Sequence, residues 1–239
     1  MKMNKKTCIE VGTSAWFFRH FDRKGNLIAS PNKIMVPEDL LWNAQSLAQH
    51  IKDNKGQITG RLLFLLDISQ TFVRIDADFP FDEKSGKYVF SQEAIGDVVW
   101  KTALPSEVSG ALVEMVALLG VKPSRIHTID TLEYRMARYL SGIHSVSFWL
   151  LLPQGAKIRL VIMQEGLFVG CYFFSNAPDF RVKEVSRFLL SYPPKLAILM
   201  SDDPDHLWLH EFLARNSVEV VAECEDFKEN MIADWISTG

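Results

Sequence analysis

Thr7-Cys8-Ile9-Glu10-Val11-Gly12-Thr13-Ser14-Ala15-Trp16-Phe17-Phe18-Arg19-His20-Phe21-Asp22-Arg23 reads as two strands folded back on each other. Thr7–Val11 and Ala15–Arg23 are rich in apolar and aromatic residues, and Gly12-Thr13-Ser14 breaks the run between them. Asp22-Arg23-Lys24-Gly25-Asn26 is a hairpin turn leading to a third strand at Leu27–Ala29. A helix is expected over Pro37–Lys55, where Leu40, Leu41, Ala44, Leu47, Ala48 and Ile51 share a face and Gly56 suits the stop. Arg61–Asp67 is a continuous apolar run, as in a strand buried on both faces. From Pro105 to Gly120, Val108, Ala111, Leu112, Met115, Val116 and Leu119 follow helical spacing. A strand at Arg125–Ile129 and a helix at Thr131–Leu140 complete this half.

The second half repeats the order. Ser145–Leu152, Lys157–Met163 and Leu167–Phe174 form a meander, with a tight turn at Gln164-Glu165-Gly166. Asp179–Leu190 is a helix, Lys195–Met200 a buried strand, Pro204–Arg215 a helix and Val218–Val221 a short strand. A meander feeding right-handed crossovers gives a mixed sheet with helices on its faces. Two such units make an α/β fold of actin-like architecture, with two duplicated ribonuclease-H-like lobes. The expected lobes are residues 1–142 and 143–239, the second ending in an acidic tail helix at Glu225–Gly239. Gln70–Pro80 and Ala94–Ala103 look strand-like on either side of a polar break at Phe81–Lys87. Residues 70–103 are therefore expected to form a small, reduced insertion on the first lobe.

Composition fits this. The 239 residues carry 26 Lys+Arg against 29 Asp+Glu, a formal charge of −3, with 48% hydrophobic residues. That balance argues against nucleic acid as a partner, which needs clustered cations, and against disorder. Cys8, Cys171 and Cys224 lack metal-ligand spacing and suggest a reducing compartment. The first ten residues lack the apolar core of a signal peptide, and no run reaches the ~18 apolar residues of a spanning helix. A cytosolic chain, or the cytosolic piece of a larger one, is expected.

Cys8-Ile9-Glu10-Val11-Gly12-Thr13-Ser14 stands where actin-like ATPases carry Asp-x-Gly-Ser/Thr at the end of their first strand. Val98–Val108 enters a long helix, followed by Leu119-Gly120-Val121-Lys122-Pro123 and Ile129–Arg138. This resembles the type IV pilus assembly protein PilM family, and the length is similar to the cytosolic part of the type II secretion protein GspL. The resemblance implies a degenerate phosphate loop at Glu10, Gly12, Thr13 and Ser14. In this superfamily the first-strand acid helps hold hydrated Mg²⁺ and the small residues admit phosphates. Here the acid is a glutamate. The second-lobe loop, Leu152–Lys157, has no carboxylate, and Ser201-Asp202-Asp203-Pro204 puts acids where the family has glycines for the adenosine. The expectation is a non-catalytic, cytoplasmic scaffold of a pilus or type II secretion-like assembly, with no catalytic residues and no cofactor. The resemblance implies that it binds the cytosolic tail of a bitopic membrane protein on its first lobe, near the insertion, and contacts an assembly ATPase. It would thus sit at the inner face of the membrane through a partner, without inserting. The alternative is a small actin-fold ATPase or kinase that binds ATP and Mg²⁺ at Glu10, Gly12, Thr13 and Ser14.

Other features read more plainly. His206 and His210, four apart with Asp202 and Asp203 nearby, could hold a divalent metal, but no third ligand has diagnostic spacing and helix capping by the aspartates is expected instead. No metal site is assigned. Trp16, Phe17, Phe18 and Phe21 are expected to pack on both faces of the sheet, and Phe227, Met231 and Trp235 to pack as a stripe on the body.

Overall fold

The computed structural model describes residues 5–54, 56–68, 71–96, 98–121, 125–154, 156–201, 203–222 and 225–238. Lys55, Gln70, Lys122, Pro123, Gly155, Asp202, Cys224 and Gly239, used above, lie outside these. Two five-stranded sheets share one plan. In the first, β1 (Lys6–Gly12) pairs antiparallel with β2 (Ala15–Phe21), which pairs antiparallel with β3 (Asn32–Met35). β1 also pairs in parallel with β4 (Arg61–Asp67), and β4 with β8 (Arg125–Thr128), giving the order β3-β2-β1-β4-β8. In the second, β9 (Phe148–Gln154), β10 (Lys157–Gln164) and β11 (Leu167–Ser175) form the meander. β12 (Leu196–Leu199) and β13 (Glu219–Ala222) add in parallel to give β11-β10-β9-β12-β13. The duplicated order read from the sequence is thus a duplicated topology.

Period-2 alternation sends each lobe's apolar residues to a helix-covered face. Ile9, Val11, Trp16, Phe18, Leu62, Phe64 and Leu66 pack with α1 (Ala44–Asp53) and α2 (Ser106–Leu118). Trp149, Leu151, Ile158, Leu160 and Ile162 pack with α4 (Pro178–Ser191) and α5 (Leu207–Arg215). Trp16, Phe18 and Phe21 are fully buried, as expected of packing aromatics. A further helix ends each repeat, α3 (Ile129–Ile143) and α6 (Glu225–Thr238).

The chain divides into two compact units, residues 1–132 with 230–239, and residues 133–229. The division falls inside α3 and α6 rather than at 142/143. The tail stripe packs: Phe227 meets Tyr139 with ring centroids 5.7 Å apart, and Trp235 meets His127 at 4.6 Å. Cys8 is buried and Cys171 half-buried.

Three local expectations shift. Leu27 makes only an isolated bridge to Phe21, and the third strand is Asn32–Met35, because Ile34 is buried while Ile28 is exposed. The helix expected over Pro37–Lys55 is a short 3-10 turn, Glu38–Trp42, and then α1, separated by Asn43. This residue is extended, and its side-chain oxygen accepts the Ser46 N–H at 2.9 Å as an N-cap. The insertion is a separate sheet of β5 (Phe72–Ile75), β6 (Tyr88–Ile95) and β7 (Val98–Pro105), ordered β5-β7-β6. Gly96, at φ +66°, turns the chain between β6 and β7, where the sequence reading ran one strand through.

Candidate functional site

Glu10 lies near the end of β1, flanked by Phe17 of β2 and Leu65 of β4. It shares a face with Cys8, opposite the core residues Ile9 and Val11. Arg19 stands across from Cys8 on the same face, so its guanidinium reaches Glu10 diagonally. Arg19 Nη1 donates to Glu10 Oε2 at 2.9 Å, and both side chains are buried. Arg19 and Lys33 also lie 6.0 and 5.9 Å from the Phe17 ring centroid. The carboxylate is thereby neutralised within the sheet.

Gly12 has a reason of its own. A Cβ there would lie 2.8 Å from the Ala15 carbonyl oxygen, so the β1–β2 turn itself demands glycine. Thr13 and Ser14 are exposed on that turn, and the Ser14 carbonyl accepts the Val36 N–H at 3.0 Å. Hydrated Mg²⁺ with nucleotide needs a carboxylate directed at the phosphates. A carboxylate already bonded to a buried guanidinium fits that group poorly.

The second-lobe residues divide likewise. Ser201 Oγ and His206 Nδ1 are 2.8 Å apart, and Ser201 Oγ accepts the Asp203 N–H at 3.1 Å. Asp203 Oδ1 accepts the Asp205 N–H at 2.9 Å, capping the 3-10 turn Pro204–His206 that leads into α5. His206 is buried and His210 exposed, so the pair does not form one metal-facing edge. The capping expectation is met at Asp203.

A second buried ion pair went unread in the sequence. Arg159 of β10 donates from Nη1 to Glu133 Oε2 of α3 at 3.0 Å, its guanidinium lies 4.5 Å from the Phe173 ring centroid, and Cys171 Sγ stands 3.9 Å from the same oxygen. In both lobes the arginine sits on the sheet face turned away from that lobe's helix-packed core. The readable signal was a lone arginine inside an otherwise apolar strand, Phe18-Arg19 and Ile158-Arg159-Leu160.

The insertion carries an aromatic cluster that the sequence reading also missed. Phe81 contacts Phe72, Phe79, Tyr88 and Phe90, with centroids 4.9–6.1 Å away. Beside it is a hollow of about 270 Å³ lined by Asp78, Phe79, Phe90, Ser91, Gln92 and Lys101. Lys101 Nζ donates to Asp78 Oδ1 at 2.5 Å, and this bond and the ammonium charge hold the Asp78 carboxyl below its ordinary range. On the opposite face Trp100 is buried, and its Nε1 donates to Thr131 Oγ1 at 2.9 Å, anchoring the small sheet.

One titration follows from β2. Burial, and then the charge of Lys5, lower the pKa of His20 from 6.5. The fold therefore favours neutral imidazole, and this support is intact above pH 6.5 and lost as the pH falls below it. Denaturant midpoints measured between pH 7.5 and 5 should decline with acid, and a His20→Gln variant should decline less; equal slopes would refute the assignment.

No protein-family model matches the sequence, and no curated protein matches it. Solved structures do. A Bacteroides thetaiotaomicron protein with an actin-like ATPase fold and unknown function superposes with a TM-score of 0.66 at 12% identity, over 96% of each chain. The PilM–PilN type IV pilus biogenesis complex gives a TM-score of 0.61 at 12% identity, over 98% of this chain and 97% of that one. The cytoplasmic domain of EpsL, an inner membrane component of the Vibrio cholerae type II secretion system, gives 0.54 at 9% identity, over 98% and 95%. The chain has an actin-like ATPase fold.

Proposed function

We propose that this protein is a non-catalytic actin-like scaffold of a type IV pilus or type II secretion-like assembly, and that it binds the cytosolic tail of a membrane partner. The observation that carries the non-catalytic part is the burial of Glu10 in its ion pair with Arg19. At the position where this fold's nucleotide chemistry calls for an acid, the acid is a structural element of the sheet. Support for the scaffold part is the likeness, over nearly the whole chain, to PilM and to the EpsL cytoplasmic domain. Among the described residues no helix is long and apolar enough to cross a membrane; this reading places the protein at the membrane through its partner. An assembly ATPase is the second partner the reading implies.

Calorimetric titration of the full chain with Mg-ATP is the direct test. No heat of binding and no phosphate release are expected. Micromolar binding with turnover, abolished by Glu10→Ala, would overturn the reading in favour of an actin-fold ATPase or kinase using Glu10, Gly12, Thr13 and Ser14.

A further inference from the structure

We propose that the end of the first sheet at which β1 and β4 begin, where Lys5, Lys6, Arg23, Lys24 and Arg61 converge, is an electrostatic contact for an anionic lipid surface. Lys6 and Arg61 are register partners on β1 and β4. Phe21, the partner of Lys6 on β2, leads into the turn that holds Arg23 and Lys24. Lys5 closes the group: its carbonyl accepts the Arg61 N–H at 3.2 Å, and its charge reaches His20 of β2. The turn is a fixed platform. Asp22 Oδ1 accepts the N–H groups of Lys24 at 2.7 Å and Asn26 at 2.9 Å, and the Asp22 N–H bonds the Asn26 carbonyl at 2.9 Å. Arg23, Lys24 and Arg61 are exposed, and Lys5 and Lys6 half-exposed. Gly12, Thr13 and Ser14 lie at the other end of β1, so this cluster is separate from the degenerate phosphate loop.

No acid answers these charges. Among the described residues, none of the five has a carboxylate within ion-pair distance. Lys6 Nζ donates instead to Ser237 Oγ and to the Arg23 carbonyl, and Arg61 Nη1 to the Ser237 carbonyl, the two carbonyls at 3.5 Å. These acceptors are neutral. Asp22 of the turn counts against the five, as does Asp234 of α6, whose neighbour Ala233 packs by Gly25. Three positive charges remain in excess, on a chain of formal charge −3. The charge is therefore segregated, and like charges held together repel until something meets them. Clusters of about four to eight Lys or Arg are what an anionic leaflet attracts, each cation near the surface strengthening binding about fivefold.

A lipid surface suits this end of the sheet better than an acidic peptide or a nucleic acid. β1 and β4 are each paired on both sides, so no strand edge is present here to template a peptide backbone. What the cluster supplies is charge on flexible stems, without directed backbone donors. A diffuse anionic surface needs no more than that. The apolar side chain beside the turn is Ile28, 49% exposed, its N–H bonded to the His20 carbonyl at 2.8 Å. An aliphatic side chain enters a headgroup layer, but it offers no face for the base stacking that single-strand recognition uses. The proposal deepens the scaffold reading by giving the chain a weak hold of its own on the membrane, additive to the partner's. It rests on that reading only for the presence of a membrane.

Co-sedimentation of the full chain with sucrose-loaded vesicles is the test. At about 0.1 M salt the protein should bind vesicles of phosphatidylcholine with about 30% phosphatidylglycerol, and not vesicles of phosphatidylcholine alone. It should be released at about 1 M salt, where the screening length has fallen from about 10 Å to about 3 Å. Arg23→Glu with Lys24→Glu should weaken binding about tenfold or more. Lys183→Glu with Arg187→Glu reverses two exposed cations of α4 and should change binding by less than about twofold. No binding to the anionic vesicles, equal binding to the neutral ones, or equal losses in the two double variants would overturn the proposal. Capture of poly-glutamate or of a single-stranded oligonucleotide in place of the vesicles would overturn it too, in favour of a protein or nucleic-acid partner. Should the Arg23 and Lys24 charge reversal not fold, Arg23→Gln with Lys24→Gln and the salt series decide. A chain that binds membrane-protein tails but no vesicles defeats this proposal and leaves the scaffold reading standing. One that holds anionic vesicles through the turn and yet turns over Mg-ATP does the reverse.

Discussion

Replacing Arg19 with Met should destabilise the first unit by about 3–5 kcal/mol, the loss expected when one member of a buried ion pair is removed. Met keeps the length of the apolar stem, so the lost element is the cation. Glu10 is then left buried beside Phe17 and Leu65, without the Nη1 donor now 2.9 Å from its Oε2. The double replacement Glu10→Leu with Arg19→Met removes both charges and should recover most of the stability, because a buried pair is frequently no better than apolar side chains of similar volume. Denaturant unfolding of the four proteins closes the cycle. A single variant as stable as wild type would mean that Glu10 is solvated and available, and the phosphate-loop reading would gain at the scaffold's expense.

Gly60→Ala should be at least as damaging. Gly60 has φ +76°, where an L side chain costs about 1–2 kcal/mol, and its added Cβ would lie 1.6 Å from the Lys5 carbonyl oxygen. That oxygen accepts the Arg61 N–H at 3.2 Å, at the start of the parallel β1–β4 ladder. Backbone would have to move where the central strands of the first sheet begin, so loss of folded protein at 37 °C is expected. Gly86 is the control: its φ is +71°, but nothing lies within 4 Å of a built Cβ, so Gly86→Ala should show only the conformational penalty of about 1 kcal/mol. Equal stability losses at the two glycines, measured by thermal unfolding, would contradict the steric account.

Legibility followed the range of the forces. The runs at Arg61–Asp67 and Lys157–Met163 and the helical spacing from Val108 to Leu119 are local patterns, and each became the expected element. Asn43 was passed over because an N-cap in the middle of an apolar-periodic stretch looks like any other polar position. The hairpin at Gly96 was passed over because apolar residues stand on both sides of it, Ala94-Ile95 before and Val98-Val99 after. The aromatic cluster draws Phe79 and Phe81 from a loop onto Phe72, Tyr88 and Phe90, and neither helical nor strand periodicity marks those contacts.

For the candidate site the division is sharper. The amino acids by themselves determined that the chain is a duplicated α/β protein, since burying alternating and 3.6-period apolar faces twice in the same order admits few other arrangements. They also placed an acid, a glycine and two hydroxyl residues at the end of the first strand. What those residues do was decided by tertiary structure. Strand register set Arg19 diagonally across from Glu10, and a buried charge must have its counter-charge within hydrogen-bonding reach. The turn, with Ala15 O close to Gly12, accounts for the glycine on steric grounds alone. A motif lists which groups are present. Only the register of the sheet says which of them are already satisfied.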